Sequence, residues 1–154
     1  MTKQTIMTRV LNLIDDVGVG VLASVDGNCA PHLRWMTIGC IKDRPGALFM
    51  LSAMKFTKVD QFRSNDATEL MIQNRALDEI ANVKGTINII ENPSMRAEVV
   101  ECIGPRLHAF WKANKGESEM VVLELVIESI TYYLPMKGFR EIVHFRTGGR
   151  NGNA

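Results

Sequence analysis

Basic and hydroxyl side chains concentrate in two segments of the chain. The first, residues 27–41 with the sequence "GNCAPHLRWMTIGCI", has the composition of a β-strand yet contains His32 and Arg34. Because alternate residues of a strand share a face, these two side chains lie on the same side. A charged residue is seldom buried without a partner. Arg34 is therefore either a ligand for an anion or one half of a salt bridge at the rim of a sheet.

The second segment, "LFMLSAMKFTKVDQFRSND", reads as a strand followed by a short helix. Ser52 ends the strand, and Lys55, Thr57 and Lys58 surround the start of the helix. A helix N-terminus offers free N–H groups and a partial positive charge. Combined with Arg34 from a neighbouring strand, it predicts an anion cradle, with a phosphate as the expected occupant.

The elements that position these residues follow from periodicity and turn residues. Residues 3–16 have helical apolar spacing and end before Gly18, and "GVGVLASV" is a β-branched run that ends at the hairpin signal "DGN". The return strand is predicted over residues 31–41, with "KDRPG" as a second turn before "ALFMLS". Such short links favour an antiparallel meander of these three strands.

The second half of the chain adds further strands and a helix. "TELMIQN" and "NVKGTINII" are predicted strands, and Asn92 and Pro93 are typical of a helix start. The strand "EMVVLELVIESITYY" alternates, and "FREIVHF" follows it. Its predicted apolar side carries Val121, Leu123, Leu125 and Ile127, and its other side carries Glu124, Glu128 and Tyr132. The prediction is a mainly β protein with peripheral helices: an antiparallel, Greek-key-like barrel of six to seven strands in one domain over residues 1–147, with a flexible tail over 148–154.

Bulk properties exclude several classes of function. The formal net charge of +1 gives no reason to expect nucleic acid as a partner, and no apolar run approaches the roughly 20 residues of a membrane span. Three cysteines without CxxC spacing favour reduced thiols and a cytoplasmic protein. With three histidines and no HxxxH pair, no metal site is expected.

The two basic segments together resemble the split-barrel, FMN-binding fold of the pyridoxamine 5′-phosphate oxidase-like proteins. That family has a strand with Pro-x-x-Arg-x-Met, a following strand, and a lysine that opens a helix ending in Asn-Pro. Here Pro31, Arg34, Met36 and Lys58 stand in that order, and the resemblance covers residues 5–74.

The resemblance implies FMN bound in a homodimer, with two sites at the subunit interface. It assigns Arg34 and Lys58 to the phosphate, with Thr57 as a helper. Trp35, Met36 and Thr37 correspond to the segment that lines the isoalloxazine ring, and Leu51 and Ser52 to the pair near the ribityl chain and ring edge. Trp111 could reach the ring across the interface.

Three departures from the family pattern limit what carries over. The helix ends in Asn65-Asp66 instead of Asn-Pro, and Phe56 replaces a serine of the true oxidases. The C-terminal half also lacks the Trp- and Arg-rich signature for pyridoxamine phosphate and is more similar to the general-stress-protein branch, whose substrates are mostly unassigned.

The leading interpretation is an FMN-dependent oxidoreductase with an unassigned substrate. One alternative is a flavin store, sensor or electron carrier without turnover. Another keeps the fold and changes the ligand to a deazaflavin or to haem, with His32, His108 or His144 as axial ligand. A third is a barrel that has lost its cofactor and serves as an interaction module.

Overall fold

A computed structural model describes residues 1–53, 56–106 and 120–145. Its three helices are α1 (Lys3–Val17), α2 (Thr57–Ser64) and α3 (Pro93–Ile103), the last continued by a 3₁₀ turn at Gly104–Arg106. Its seven strands are β1 (Val19–Val25), β2 (Pro31–Thr37), β3 (Ala47–Ala53), β4 (Ala67–Gln73), β5 (Ile80–Ile90), β6 (Met120–Leu134) and β7 (Phe139–His144). The predicted tail over 148–154 lies outside the described residues.

The first helix forms where local signals predicted it. The Thr2 hydroxyl accepts a hydrogen bond from Thr5 N, which satisfies one of the free amides of the first turn. Gly18 ends the helix with φ 72° and donates its N–H to Ile14 O at 2.7 Å. A side chain would strain that left-handed conformation, so glycine fixes where the chain turns from α1 into β1.

All seven strands belong to one antiparallel sheet, in the order β2-β1-β4-β5-β6-β3, and β7 pairs with the second half of β6. The predicted three-strand meander is wrong, because β3 pairs with β6 along its whole length and not with β2. Nearly every side chain of β3 is buried, on both faces. A strand that is apolar on both sides needs cover on both sides, and the position beside β6 and beneath α3 supplies it.

Among the described residues, the sheet closes through one bridge, between Gly39 and Phe49. Gly39 N donates to Phe49 O at 2.8 Å, and Phe49 N donates to Gly39 O at 2.9 Å. This bridge joins the segment after β2 to β3, the two ends of the strand order, so the sheet curls into a barrel. A Cβ at residue 39 would lie 2.3 Å from Ile103 Cγ2, so glycine also lets α3 approach here.

A register shift in β6 corrects the predicted alternation of that strand. Lys84 pairs with Ser129 and Gly85 with Ile127, so Glu128 is the extra residue of a β-bulge. One extra residue reverses the side-chain alternation. Tyr132 therefore joins the buried core with Ile127, and the prediction that it faces the other way is wrong.

Two apolar clusters lie on the two faces of the sheet. The main core fills the barrel between α1, α2 and the inward faces of the strands. A smaller cluster packs beneath α3: Ile41, Phe49, Leu51, Val99, Ile103, Met120 and Val122. In the part of the chain described, no helix is long and apolar enough to cross a membrane.

Candidate functional site

Arg34 lies in the middle of β2, and its guanidinium turns toward the inner side of β1. Nη1 donates to Leu22 O at 3.1 Å, and Nη2 donates to Ser24 Oγ at 2.6 Å. Nη2 also reaches Gln61 Oε1 of α2 at 3.3 Å. The Ser24 hydroxyl donates to the same Gln61 oxygen. Groups from β1 and α2 thus fix the direction of the guanidinium before any ligand arrives.

Among the described residues, the hydrogen-bond partners of Arg34 are all neutral, in contrast to the partners of Arg44 and Arg63. Arg44 lies 3.1 Å from the Glu124 carboxylate, and Arg63 lies 2.8 Å from Glu91. By contrast, the hydrogen bonds of Arg34 to described residues go to a carbonyl, a hydroxyl and an amide. Burial lowers the pKa of Arg34 from its ordinary value, although an arginine stays protonated at any physiological pH. The rim salt bridge is therefore absent among the described residues, and the cation is held without being neutralised.

Lys58 brings a second cation to the same place from the first turn of α2. Burial and the charge of Arg34 lower the pKa of Lys58 to about 8. Its Nζ lies 4.4 Å from the centre of the Phe56 ring, a cation–π contact that orients the amine. Phe56 is also the N-cap of α2 and has no side-chain acceptor, so the first amides of the helix are not capped by it. Phe56 thus contacts the lysine and leaves the helix end open.

These groups line one open cleft between β2 and the start of α2. The cleft has a volume of about 700 Å³ and is lined by His32, Arg34, Phe56, Thr57, Lys58 and Gln61. Thr57, predicted as a helper, is exposed in its wall. Two mutually repelling cations, a hydroxyl and a helix N-terminus are the groups that bind a phosphate dianion. The structure brings together Arg34, Thr57 and Lys58 in this cleft, as the sequence predicted.

Trp35 is separated from this cleft by the alternation of β2. Its side chain points to the opposite face from Arg34 and is 80% exposed, as is its neighbour Leu33 at 71%. Within one protomer, the Trp35 ring therefore does not share a surface with the two cations.

The other four predicted residues lie along the ends of β2 and β3. The side chains of Met36, Leu51 and Ser52 are buried, and Thr37 is partly buried. Ser52 Oγ donates to Ala53 O at 3.2 Å. Ligand contacts at these residues would therefore come mainly from the backbone.

The backbone of these two strands offers such contacts. Among the described residues, β2 pairs only with β1, and β3 pairs with β6 and has just the Gly39–Phe49 bridge on its other edge. Continuing the register of the Gly39–Phe49 bridge would place Thr37 opposite Leu51. Among the described residues no strand pairing joins them, so the barrel is split here and two strand edges face each other.

Sequence reasoning missed three residues that shape the cleft. Ser24 and Gln61 hold the guanidinium, and Asp26 holds His32 with 2.7 Å between Oδ2 and Nε2. Counting back from the "DGN" turn would have paired Ser24 with His32, which the register confirms. Gln61 follows Lys58 by three residues and so lies on the same helix face, a signal that was available. Lys55, His108 and Trp111 lie outside the described residues.

We compared the sequence and the fold with those of known proteins. No protein-family model and no curated protein matches the sequence. Solved structures do match. General stress protein 26 from Bacillus anthracis has a TM-score of 0.70 at 15% identity and covers 91% of this chain and 98% of its own. A Clostridium acetobutylicum protein related to general stress protein 26, of the pyridoxinephosphate oxidase family, has a TM-score of 0.73 at 13% identity, over 94% of this chain and 97% of that one.

A Nostoc punctiforme protein, described as pyridoxamine 5′-phosphate oxidase-related and FMN binding, has a TM-score of 0.62 at 10% identity, over 95% of this chain and 98% of that one. A haem-binding protein from Mycobacterium smegmatis and an F420 reductase are also similar in structure. At these identities the similarity establishes the fold. The chain therefore has the split-barrel fold of the pyridoxamine 5′-phosphate oxidase-related proteins and of general stress protein 26, as its sequence predicted.

Proposed function

We propose that this protein binds FMN, with the phosphate held between Arg34 and Lys58, and acts as a flavin-dependent oxidoreductase. The observation that carries the proposal is the meeting of these two cations in one cleft, held by neutral groups. Two like charges raise the free energy of the ligand-free site, and a phosphate dianion relieves that repulsion. Each charge-assisted hydrogen bond to the phosphate contributes about 1.5–3 kcal/mol.

The split between β2 and β3 is the place for the flavin ring in this proposal. The phosphate cleft adjoins β2, and the unpaired strand edges run from Arg34 toward Thr37 and from Leu51 toward Ala53. Backbone N–H and C=O groups at such edges suit the polar rim of a flat heteroaromatic ring. Met36 and Thr37 on one strand, and Leu51 and Ser52 on the other, would supply these contacts.

Bound FMN would supply the redox chemistry, while the protein supplies orientation and electrostatics. The residues of this chain bind the phosphate and hold the ring edge, and those backbone contacts tune the flavin. No protein acid or base is required for hydride transfer, so the proposed chemistry needs only a bound donor beside the ring.

A second copy of the chain would complete the site. Trp35 and Leu33 form an exposed apolar strip on the outer face of an edge strand, with Val19 of β1 beside them. Exposed apolar patches of this kind mark interaction surfaces. In a homodimer that covers this strip, Trp35 of one protomer can approach the flavin site of its partner, which its own strand geometry prevents within one chain. No disulfide joins Cys29, Cys40 or Cys102, and unlinked cysteines are usual in cytoplasmic proteins, the location that we propose.

The test is an absorption spectrum of the purified protein before and after FMN addition, with gel filtration of the same sample. Flavin bands that co-elute with a dimer are the expected result, followed by a screen of nicotinamide donors for turnover. Tight FMN without turnover would support a store, sensor or carrier. A Soret band would point to haem, and F420 binding without FMN binding would point to a deazaflavin.

A protein that binds none of these ligands would overturn the proposal and leave an interaction module. Arg63→Ala serves as the matched control for the titrations. It removes one positive charge from the same helix α2, at an exposed ion pair with Glu91 outside the cleft lining.

A further inference from the structure

His32 is fixed by the turn that precedes its strand. Its Nε2 lies 2.7 Å from Asp26 Oδ2. The other carboxylate oxygen of Asp26 accepts hydrogen bonds from Asn28 N at 2.8 Å and Ala30 N at 3.0 Å. The hydrogen bond from His32, followed by those two amides, lowers the pKa of Asp26, so this carboxylate stays charged in neutral and mildly acidic solution. The Nε2 atom of the imidazole is thus held by the Asp26 carboxylate, and Nδ1 remains to contact a ligand.

The same imidazole lies in the wall of the phosphate cleft. His32 and Arg34 share a face of β2 and are two residues, or about 7 Å, apart along it. The charged groups that meet here come from three elements: Asp26 from the β1–β2 turn, Arg34 from β2, and Lys58 from α2. The remaining side chains of the lining, Phe56, Thr57 and Gln61, carry no charge.

We infer that the His32–Asp26 pair is a third, titratable anion contact of this cleft, which makes anion affinity depend on pH. With Nε2–H directed at Asp26, a protonated imidazole has a second N–H at Nδ1 to donate to an anion. A neutral imidazole presents a lone pair there instead. The pair carries no net charge when His32 is protonated and one negative charge when it is not. Loss of that proton therefore removes a donor and adds repulsion at the same time.

This inference rests on the proposed phosphate site, so the experiment must test the pH dependence of binding separately from binding itself. Sulfate is suitable because it remains a dianion over the whole pH range, whereas a phosphate ester changes its own charge. Sulfate affinity would be measured by calorimetry between about pH 5.5 and pH 7.5, the range in which an imidazole titrates. Lys58, with a pKa of about 8, stays largely protonated there.

The expected result is a fall in wild-type sulfate affinity of about fivefold across that range, a modest effect because the pair is exposed. His32→Asn should flatten the profile and leave the weaker, high-pH affinity at every pH. His144→Asn replaces an exposed histidine on β7 and should retain the wild-type profile.

A second readout is the NMR titration of the His32 ring protons with and without sulfate. Bound sulfate should raise the midpoint of that titration. Sulfate binding with the same pH profile in wild type and His32→Asn, or a His32 midpoint unchanged by saturating sulfate, would overturn the inference and leave the phosphate site intact. No binding of sulfate or FMN at any pH would instead refute the phosphate site itself, and the inference with it.

Discussion

The Arg34 guanidinium lies 3.3 Å from the side-chain oxygen of Gln61, an uncharged amide at a position where a carboxylate would fit equally well. Gln61 is buried, so its side-chain oxygen contacts protein groups and not solvent. Its oxygen accepts from both Arg34 and Ser24, which orients the guanidinium without cancelling its charge. A glutamate in this place would turn an anion site into an ion pair.

Replacing Gln61 with glutamate is therefore the sharpest single test of the site. Gln61→Glu is nearly isosteric and supplies a charged partner for Arg34, so FMN and sulfate affinity should fall at least tenfold while thermal stability is retained or raised. Fluorescence titration and calorimetric melting would measure the two quantities. Gln73→Glu, at an exposed position of β4, adds the same charge away from the cleft and should change neither. Equal FMN affinities for Gln61→Glu and wild type would contradict the charge argument.

Removal of either cation should weaken binding of the cofactor. Arg34→Ala and Lys58→Ala should each reduce FMN affinity by about 1.5–3 kcal/mol, because each deletes a charge-assisted hydrogen bond to the phosphate. Riboflavin, which lacks the phosphate, should bind all forms with similar affinity. Arg63→Ala should leave FMN titrations unchanged, and unchanged titrations in both cleft mutants would remove the phosphate assignment.

The ligand-free protein should be more stable when Lys58 is made neutral. Its folded pKa of about 8 lies below the ordinary 10.5, so the unfolded chain binds more protons between these values. The contribution of Lys58 to stability therefore rises with pH across that window, and below it the buried charge is a constant penalty. Lys58→Met should unfold at higher denaturant than wild type at about pH 7, with the difference shrinking toward about pH 10. Lys84→Met, on the exposed face of β5, is the control for adding a methionine. A stability difference that does not change with pH would show that Lys58 contributes through packing alone.

The exposed strip on β2 should control association. Trp35→Ser and Leu33→Ser should shift the protein from dimer to monomer in light-scattering measurements and lower FMN affinity with it, because the strip would lose its apolar contacts. Met136→Ser replaces an even more exposed apolar side chain, at the turn between β6 and β7, and should not affect mass. A Trp35→Ser protein that remains dimeric with full FMN affinity would place the interface elsewhere.

The bulge that turns Tyr132 inward depends on a glycine. A Cβ at residue 85 would lie 2.0 Å from Val126 O, a backbone atom that cannot move away alone. Gly85→Ala should therefore cost about 1–3 kcal/mol of unfolding free energy or more. Gly27→Ala, where a Cβ meets nothing within 4 Å, is the matched control. Equal chemical denaturation curves for the two variants would show that the strand pair relaxes around the new methyl group.

Local features of the fold were readable from the sequence because their causes are local. Thr2, Gly18 and Asn92 act through hydrogen bonds and dihedral angles within a few residues, so the ends of α1 and the start of α3 lie close to their predicted positions. Strand pairing was harder to predict from the sequence. The partner of β3 depends on what covers both of its faces, and that cover comes from α3 and β6, far along the chain. The inward turn of Tyr132 follows from one inserted residue that no periodicity marks.

For the candidate site, too, some features could be predicted from the sequence and others depended on the tertiary structure. By itself the sequence predicted that Arg34 and Lys58 lie together as candidate anion ligands, since an arginine in an apolar strand and a lysine at the start of a helix are residue types that such a site uses. Only the tertiary structure decided that the partners of Arg34 are Ser24 and Gln61, that Asp26 fixes His32 beside the cleft, and that Trp35 faces away from it. Charge is a property of a residue, whereas neutralisation, orientation and exposure are properties of its neighbours, and folding brings those neighbours from distant parts of the chain.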